Sequence, residues 1–143
     1  EMLGHAKVTI TQHALQKRVT LIQGYLPGAL AGAGRFELVL SNSLLHHLND
    51  PMTLWTTLRE VAMPGAGVYV MDLRRPESDA RAQAIVQEHA AEEPEVLRHD
   101  FYKSLHAAYT PDEVSAQLAL AGLNSLSVSL PSDRHILVSG QVD

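Results

Sequence analysis

The sequence predicts an α/β domain: a mixed, mainly parallel sheet with helices on both faces and an antiparallel hairpin near the C-terminus. Three observations carry this expectation. Short continuous apolar runs at residues 19–23, 36–40 and 68–71 alternate with segments of helical periodicity, and such runs suit parallel strands buried on both sides. Thr110-Pro111-Asp112-Glu113 combines a capping threonine, a proline in the first turn and a glutamate three residues on, the signature of a helix start. Two final apolar runs, 125–130 and 135–139, flank Pro131-Ser132-Asp133, which reads as a hairpin.

Taken in order, residues 1–18 place Met2, Leu3, Ala6, Ile10, Ala14 and Leu15 roughly along one helical face. The run 19–23 reads as a strand stopped by Gly24, with Pro27 and Gly28 behind it. A second strand at 36–40 ends on Ser41-Asn42-Ser43, after which the pattern turns helical. Asn49 or Asp50 is positioned as N-cap ahead of Pro51, and Leu54, Leu58, Val61 and Ala62 repeat at helical spacing. Pro64-Gly65 reads as the stop of that helix, and 68–71 as a third strand closing on Asp72. Residues 77–93 and 100–108 read as two further helices, and the helix from Thr110 stops at Ala121-Gly122. Both Gly-x-Gly pieces, Gly32-Ala33-Gly34 and Gly65-Ala66-Gly67, precede strands; a nucleotide loop follows a strand and opens a helix, so these are turns.

The bulk properties bound the function. A chain of 143 residues suits a single domain spanning 1–143. The net charge of −5 without any Lys/Arg run argues against a nucleic-acid surface. The absence of cysteine removes disulfides, thiolate metal sites and a cysteine nucleophile. No apolar stretch is long enough to span a membrane, and no basic-then-apolar leader opens the chain; a cytoplasmic protein is the expectation. The eight histidines are scattered, with no i, i+4 pair of the zinc-clamp kind, so no metal site is expected.

Residues 36–51, Phe-Glu-Leu-Val-Leu-Ser-Asn-Ser-Leu-Leu-His-His-Leu-Asn-Asp-Pro, resemble the fourth-strand signature of class I S-adenosylmethionine-dependent methyltransferases: an F-D-x-V strand, then L-H-H-L and an acidic-Pro helix start. Arg59-Glu60-Val61-Ala62-Met63-Pro64-Gly65 resembles that family's joint into its fifth strand. Thr20 to Pro27 is similar to its third-strand segment, and Glu1-Met2-Leu3 to the helix after its second strand. The resemblance implies a truncated Rossmann-like methyltransferase domain in which 77–108 is an inserted helical segment. The family's first strand, its Gly-rich loop and the acid that ends its second strand have no counterpart within 1–143. Where the family often sets an acid after the third strand, this chain has Tyr25. Weak or absent S-adenosylmethionine binding is therefore expected of this chain, with Gly24, Tyr25, Ser41, Asn42 and Ser43 as the cofactor-side candidates.

The sheet order that the resemblance implies would leave the strands at 19–23 and 36–40 with bare edges, a liability that proteins cover. Either 19–23 closes onto 36–40, or two chains associate as a homodimer. In open α/β sheets ligands sit at the carboxyl ends of the strands, which makes His46, His47 and Asn42 the candidate catalytic residues. One histidine reads as a base or substrate contact; the alternative is that one packs under the helix while the other is solvated. Asp72, Arg74, Tyr102 and Tyr109 are the candidate contacts to a small-molecule acceptor. Asp72 reads equally as a cap for the turn after it, the Arg74-Arg75 pair as a solvated rim, and Tyr102 and Tyr109 as half-buried core. Glu37 reads as a cofactor-side group or as a partner of a helix terminus. Two functions follow: methyl transfer to a small-molecule acceptor, incomplete in this chain, or a non-catalytic α/β remnant that dimerises and acts as a binding module.

Overall fold

The computed structural model describes residues 1–143. It is an α/β structure with helices α1 (Met2–Gln12), α2 (Met52–Val61), α3 (Asp79–Ala90), α4 (Glu95–Ala107) and α5 (Pro111–Leu120). A four-stranded sheet carries β1 (Phe36–Asn42), β2 (Ala62–Leu73), β3 (Ser127–Ser129) and β4 (His135–Gln141) in the order β1-β2-β4-β3. β1 and β2 are parallel, whereas β4 runs antiparallel to both β2 and β3. The sheet is therefore mixed, as expected, with its antiparallel strands at the C-terminal end.

The parallel share is smaller than the sequence suggests, because residues 19–23 form no strand. Val19, Leu21 and Ile22 are all exposed, and no strand pairs with the outer edge of β1. The closure of 19–23 onto 36–40 does not occur. A β-rich run becomes a strand only where a neighbour takes its N–H and C=O groups, and here none is adjacent. Helix α1 is shorter than the expected 1–18, ending at Gln12, and buries no residue.

The start of β2 also departs from expectation. Pro64 and Gly65 do not end a helix; they lie inside β2, which begins at Ala62 directly after α2. The strand absorbs them as an irregularity: Phe36 pairs with Ala62, but Leu38 pairs with Gly67. Proline cannot donate to a ladder and is tolerated at such a bulge. Gly65 takes φ +79°, open to glycine at little cost, and donates its N–H to the Val142 carbonyl at 2.7 Å.

Alternation along β2 sorts the core. Val68 and Val70, with Ile136 and Val138 of β4, face Leu54, Trp55 and Leu58 of α2 and Val114 and Leu118 of α5. On the opposite face Leu73 joins a second cluster with Ile85 of α3 and Leu105 of α4. Helices thus lie on both sides, but the second face is covered only near the carboxyl end of β2. Leu38, Leu40 and Tyr69 are left 58%, 64% and 43% exposed.

Helix α5 starts as its sequence dictates. Thr110 Oγ1 accepts from the Glu113 N–H at 3.2 Å, and a Glu113 carboxylate oxygen accepts from the Thr110 N–H at 2.7 Å. That backbone hydrogen bond, with help from Arg75, holds the Glu113 carboxyl below its ordinary pKa. A carboxyl lowered by folding stabilises the native state above its ordinary pKa, and the contribution is lost as pH falls through the lowered folded value. Thr110→Ala is expected to cost about 1 kcal/mol in urea denaturation at neutral pH. Glu113→Gln is expected to lower stability at neutral pH, where the carboxylate contributes, and to change it little in acid, so that the acid limb flattens.

Candidate functional site

Because β1 and β2 are parallel and in register, with Asn42 paired to Met71, their carboxyl ends form one rim. Ser43 holds the rim together. It adopts φ +54° and donates its N–H to the Met71 carbonyl at 2.9 Å. The chain then makes a single 3-10 turn, Leu45–His47, instead of entering an α-helix directly. Asp50 caps the helix that follows, accepting from the Met52 N–H at 2.9 Å.

The centre of the rim is Asp72, the last buried residue of β2. Its carboxyl group is 1% exposed and takes three donors. Oδ2 accepts from the Leu45 N–H at 2.7 Å, and Oδ1 from the Leu73 N–H at 2.8 Å. Oδ1 also meets His46 Nδ1 at 2.5 Å. Asp72 therefore anchors the start of the 3-10 turn through the Leu45 N–H and is the partner of His46, whereas no turn after β2 is capped by it. With the carboxylate as acceptor, Nδ1 is the donor of this contact. No protein group hydrogen-bonds to Nε2.

His46 is buried and His47 exposed, which is the packed-and-solvated arrangement weighed above, yet their ring centroids lie 3.9 Å apart. Helix α4 packs against this turn, so the segment 77–108 forms part of the wall around His46. Asn42 is exposed at the end of β1.

The acceptor-side candidates divide. Arg74 bridges to Tyr109 at the rim, and its Nε donates to the Asp133 carbonyl at 3.1 Å. Tyr109 reaches the Leu48 carbonyl at 3.4 Å, and burial, ahead of the charges of Glu113 and Asp50, pushes its pKa up. Tyr102 lies further out on α4. Its hydroxyl donates to Asp79, which raises its pKa, and its ring meets that of His106 at 4.6 Å between centroids, tilted by 59°. Arg75 is occupied by Glu113 at 3.0 Å and by the Ala108 carbonyl at 2.9 Å.

The cofactor-side candidates do not converge. Gly24 and Tyr25 end no strand, and Tyr25 is 94% exposed. Ser41 turns inward: its Oγ is buried and unpartnered. Only Asn42 and Ser43 stand at the open end of β1, so the residues of this chain do not by themselves form a closed cradle for a nucleoside. Glu37, at the other end of β1, is exposed.

One rim residue escaped the sequence reading. His135 opens β4 directly opposite Leu73. Burial, with Arg134 adding, pushes its pKa below the ordinary histidine value, and Ser132 Oγ lies 2.8 Å from its Nδ1. The antiparallel hairpin was the available signal, because the first residue after its turn must return to the end of β2.

Glu88, His89 and Asp133 approach one another within 4.8 Å. Arg81 Nη2 and Arg134 Nη1 already hold Asp133 at 2.9 and 3.1 Å, and Arg134 lies 3.0 Å from His89 Nε2. Two guanidinium groups in that position make an ion-pair network rather than a cation seat. No helix is long and apolar enough to cross a membrane.

No family model matches the chain. A ubiquinone biosynthesis O-methyltransferase of Cereibacter sphaeroides is 33% identical over 133 residues, covering 91% of this chain and 49% of that protein. The chain thus spans about half the length of this curated relative. A SAM-dependent methyltransferase of Aquifex aeolicus superposes with a TM-score of 0.61 at 16% identity, over 99% of this chain and 64% of that one. An O-methyltransferase family protein of Burkholderia thailandensis gives a TM-score of 0.66 at 19% identity, over 96% of this chain and 40% of that one. The F-E-L-V strand with its L-H-H-L turn, the β1-β2-β4-β3 order and these likenesses agree, and residues 1–143 have the fold of class I S-adenosylmethionine-dependent methyltransferases.

Proposed function

We propose that this chain supplies the acceptor-side half of a methyl-transfer site acting on a small molecule that bears a hydroxyl group. The observation that carries the proposal is the Asp72–His46 pair: a buried carboxyl fixes the tautomer and orientation of an imidazole whose Nε2 is left without a partner. That is the arrangement of an oriented general base. His46 takes the acceptor's hydroxyl proton at Nε2 and Asp72 steadies the ring, while Asn42, Arg74 and Tyr109 position the acceptor along the rim. Residues 77–108, as an inserted segment of a single domain, wall the acceptor pocket. S-adenosylmethionine is the donor that the fold and the relatives' names point to. With only Asn42 and Ser43 presented, no step through it is derived from this chain's residues.

Calorimetric titration of the 143-residue chain with S-adenosylmethionine is expected to show weak or no binding; micromolar affinity would refute the half-site reading. In an extended form that turns over an acceptor, His46→Ala is expected to lower kcat about a hundredfold. Asn42→Ala should also lower it, and by more than Trp55→Phe does. If His46→Ala and Asn42→Ala both retain full turnover, neither residue belongs to the mechanism.

One observation favours a second reading, a dimerising binding module. β1 has a bare edge, and an antiparallel two-fold pairing centred on Val39 would set Leu38 opposite Leu40. Equilibrium sedimentation separates the readings. A dimer dispersed by Leu40→Lys supports the module, whereas a monomer at all concentrations removes it.

A further inference from the structure

Side chains outside the rim tie helix α3 to the turn between β3 and β4. Arg81 Nη2 donates to Asp133 Oδ2 at 2.9 Å, and Arg134 Nη1 donates to Asp133 Oδ1 at 3.1 Å. His89, in the last turn of α3, stands between them. Its Nε2 lies 3.0 Å from Arg134 Nη1 and 3.2 Å from Asp133 Oδ2. Both contacts fall on one ring nitrogen and make opposite demands on it. A guanidinium only donates, so Nε2 must be bare to accept from Arg134. A carboxylate only accepts, so Nε2 must carry a proton to donate to Asp133. The two bonds exclude each other, and the protonation state of His89 selects one.

The surroundings leave His89 as the group that changes state. Burial acts to raise the Asp133 carboxyl, but hydrogen bonds from His89 and Arg134 hold it below its ordinary value, so it stays ionised where histidines titrate. On β4, burial and then Arg134 push His135 below the ordinary histidine value. Glu88, next to His89 on α3 and 3.9 Å from Nε2, favours the charged ring, as Asp133 does; Arg134 and Arg81 oppose it. The end of β2 brings Arg74, whose Nε is held by the Asp133 carbonyl at 3.1 Å. Helix α4 brings neither an ion pair nor a hydrogen bond to His89: its Arg98 donates to Gln87, and its His106 lies 3.3 Å from Asp79.

We propose that His89 is a pH-operated contact that ties α3 to the β3–β4 turn in two alternative ways. When the ring is neutral, its proton sits on Nδ1 and Nε2 accepts from Arg134, the shorter of the two contacts, while Asp133 Oδ2 keeps Arg81. When Nε2 takes a proton from solvent, it donates to Asp133. The Arg134 guanidinium then faces a like charge and turns off the ring. Helix α3 packs on α4, and α4 on the Leu45–His47 turn, so the exchange acts on the wall of the rim from its outer side. The device does not depend on the methyl-transfer reading.

Long-range proton–nitrogen correlation spectra of the nitrogen-labelled full chain read the tautomer directly. At about pH 8.5, well above an ordinary histidine, His89 is expected as the Nδ1–H tautomer with Nε2 bare. On going to about pH 5, the Arg134 guanidinium protons are expected to lose about fivefold in exchange protection, measured against free arginine at each pH. His89→Phe is expected to abolish that loss, and His135→Gln to keep it. Part-exposed ion pairs contribute little to stability, so both variants are expected to keep the native amide spectrum. The tautomer is read on the unaltered chain and needs neither variant. Four outcomes overturn the proposal: an Nε2–H tautomer at the higher pH, equal Arg134 protection at the two pH values, a loss that persists in folded His89→Phe, or one that disappears in folded His135→Gln.

Discussion

Asp72→Ala is expected to destabilise the chain by about 3–5 kcal/mol, measured as the loss of unfolding free energy in urea. The carboxyl group is almost fully buried and serves three donors: the N–H groups of Leu45 and Leu73 and the Nδ1 of His46. Alanine leaves all three unpaired in a space too enclosed for ready hydration, and each orphaned buried donor costs on the order of 1–3 kcal/mol. A domain of this size has roughly 5–15 kcal/mol to lose, so the variant should lose a large fraction of its stability and unfold at markedly lower urea. Asp72→Asn separates charge and geometry from shape. Its amide oxygen can still accept from one backbone N–H, and His46 can switch tautomer to accept from the amide NH2. Its loss should therefore be smaller, roughly 1–3 kcal/mol. A shift below 1 kcal/mol in the alanine variant would mean that Asp72 does not organise the rim.

The same residue shows which parts of the site were legible in the sequence. His46 and Asp72 were each singled out because they follow apolar strand runs, and both do lie at the rim. Their contact spans 26 residues of chain, and no local spacing announces it. Only the parallel register of β1 and β2, which sets Asn42 beside Met71, brings them together. Local devices read well: the Thr110 capping box, the Asp50 cap, and the turn between β3 and β4 all act within a few residues. The stop of α5 also belongs to this class. Gly122 takes φ +68°, and the Leu123 N–H returns to the Leu118 carbonyl at 2.9 Å.

Devices that need a distant partner read badly. Residues 19–23 have strand composition but no strand to pair with, so Val19, Leu21 and Ile22 end exposed. The misplaced boundary at Pro64-Gly65 has the same origin. Proline followed by glycine is the usual helix stop, but pairing of Ala62 with Phe36 starts the strand first, and a bulge absorbs the two residues. Ser41 is a third case. Strand position placed it with the cofactor candidates, whereas β1 carries it on the same face as Val39, which packs on the core cluster against α2, and its Oγ is sealed inward. Of the five cofactor-side candidates, Gly24, Tyr25 and Ser41 thus lie apart from Asn42 and Ser43, through the pleat in one case and the absent strand in the other two.

Trp55→Ala is expected to cost about 3–5 kcal/mol, by a mechanism unlike that at Asp72. The indole is 0% exposed and lies within the main core cluster, with α2 on one side and Val114 and Leu118 of α5 in the same cluster. Removing it empties the largest volume that any side chain fills in this core, and the surrounding helices and sheet can collapse only in part. A polar loss adds to the cavity. Trp55 Nε1 donates to Gln117 Oε1 at 2.9 Å, a buried link between α2 and α5 across 62 residues. In Trp55→Ala the Gln117 amide oxygen loses its partner. A double-mutant cycle separates these terms. Gln117→Met, which replaces the amide by an apolar chain of similar length, should by itself leave the indole N–H unpaired and cost roughly 1–2 kcal/mol. With Gln117→Met already present, Trp55→Ala should cost about 1 kcal/mol less than in the native background, because no acceptor remains to be orphaned. Additive losses would show that the hydrogen bond contributes nothing beyond packing, and a single-variant loss under 2 kcal/mol would show that α2 and α5 are not clamped through this indole.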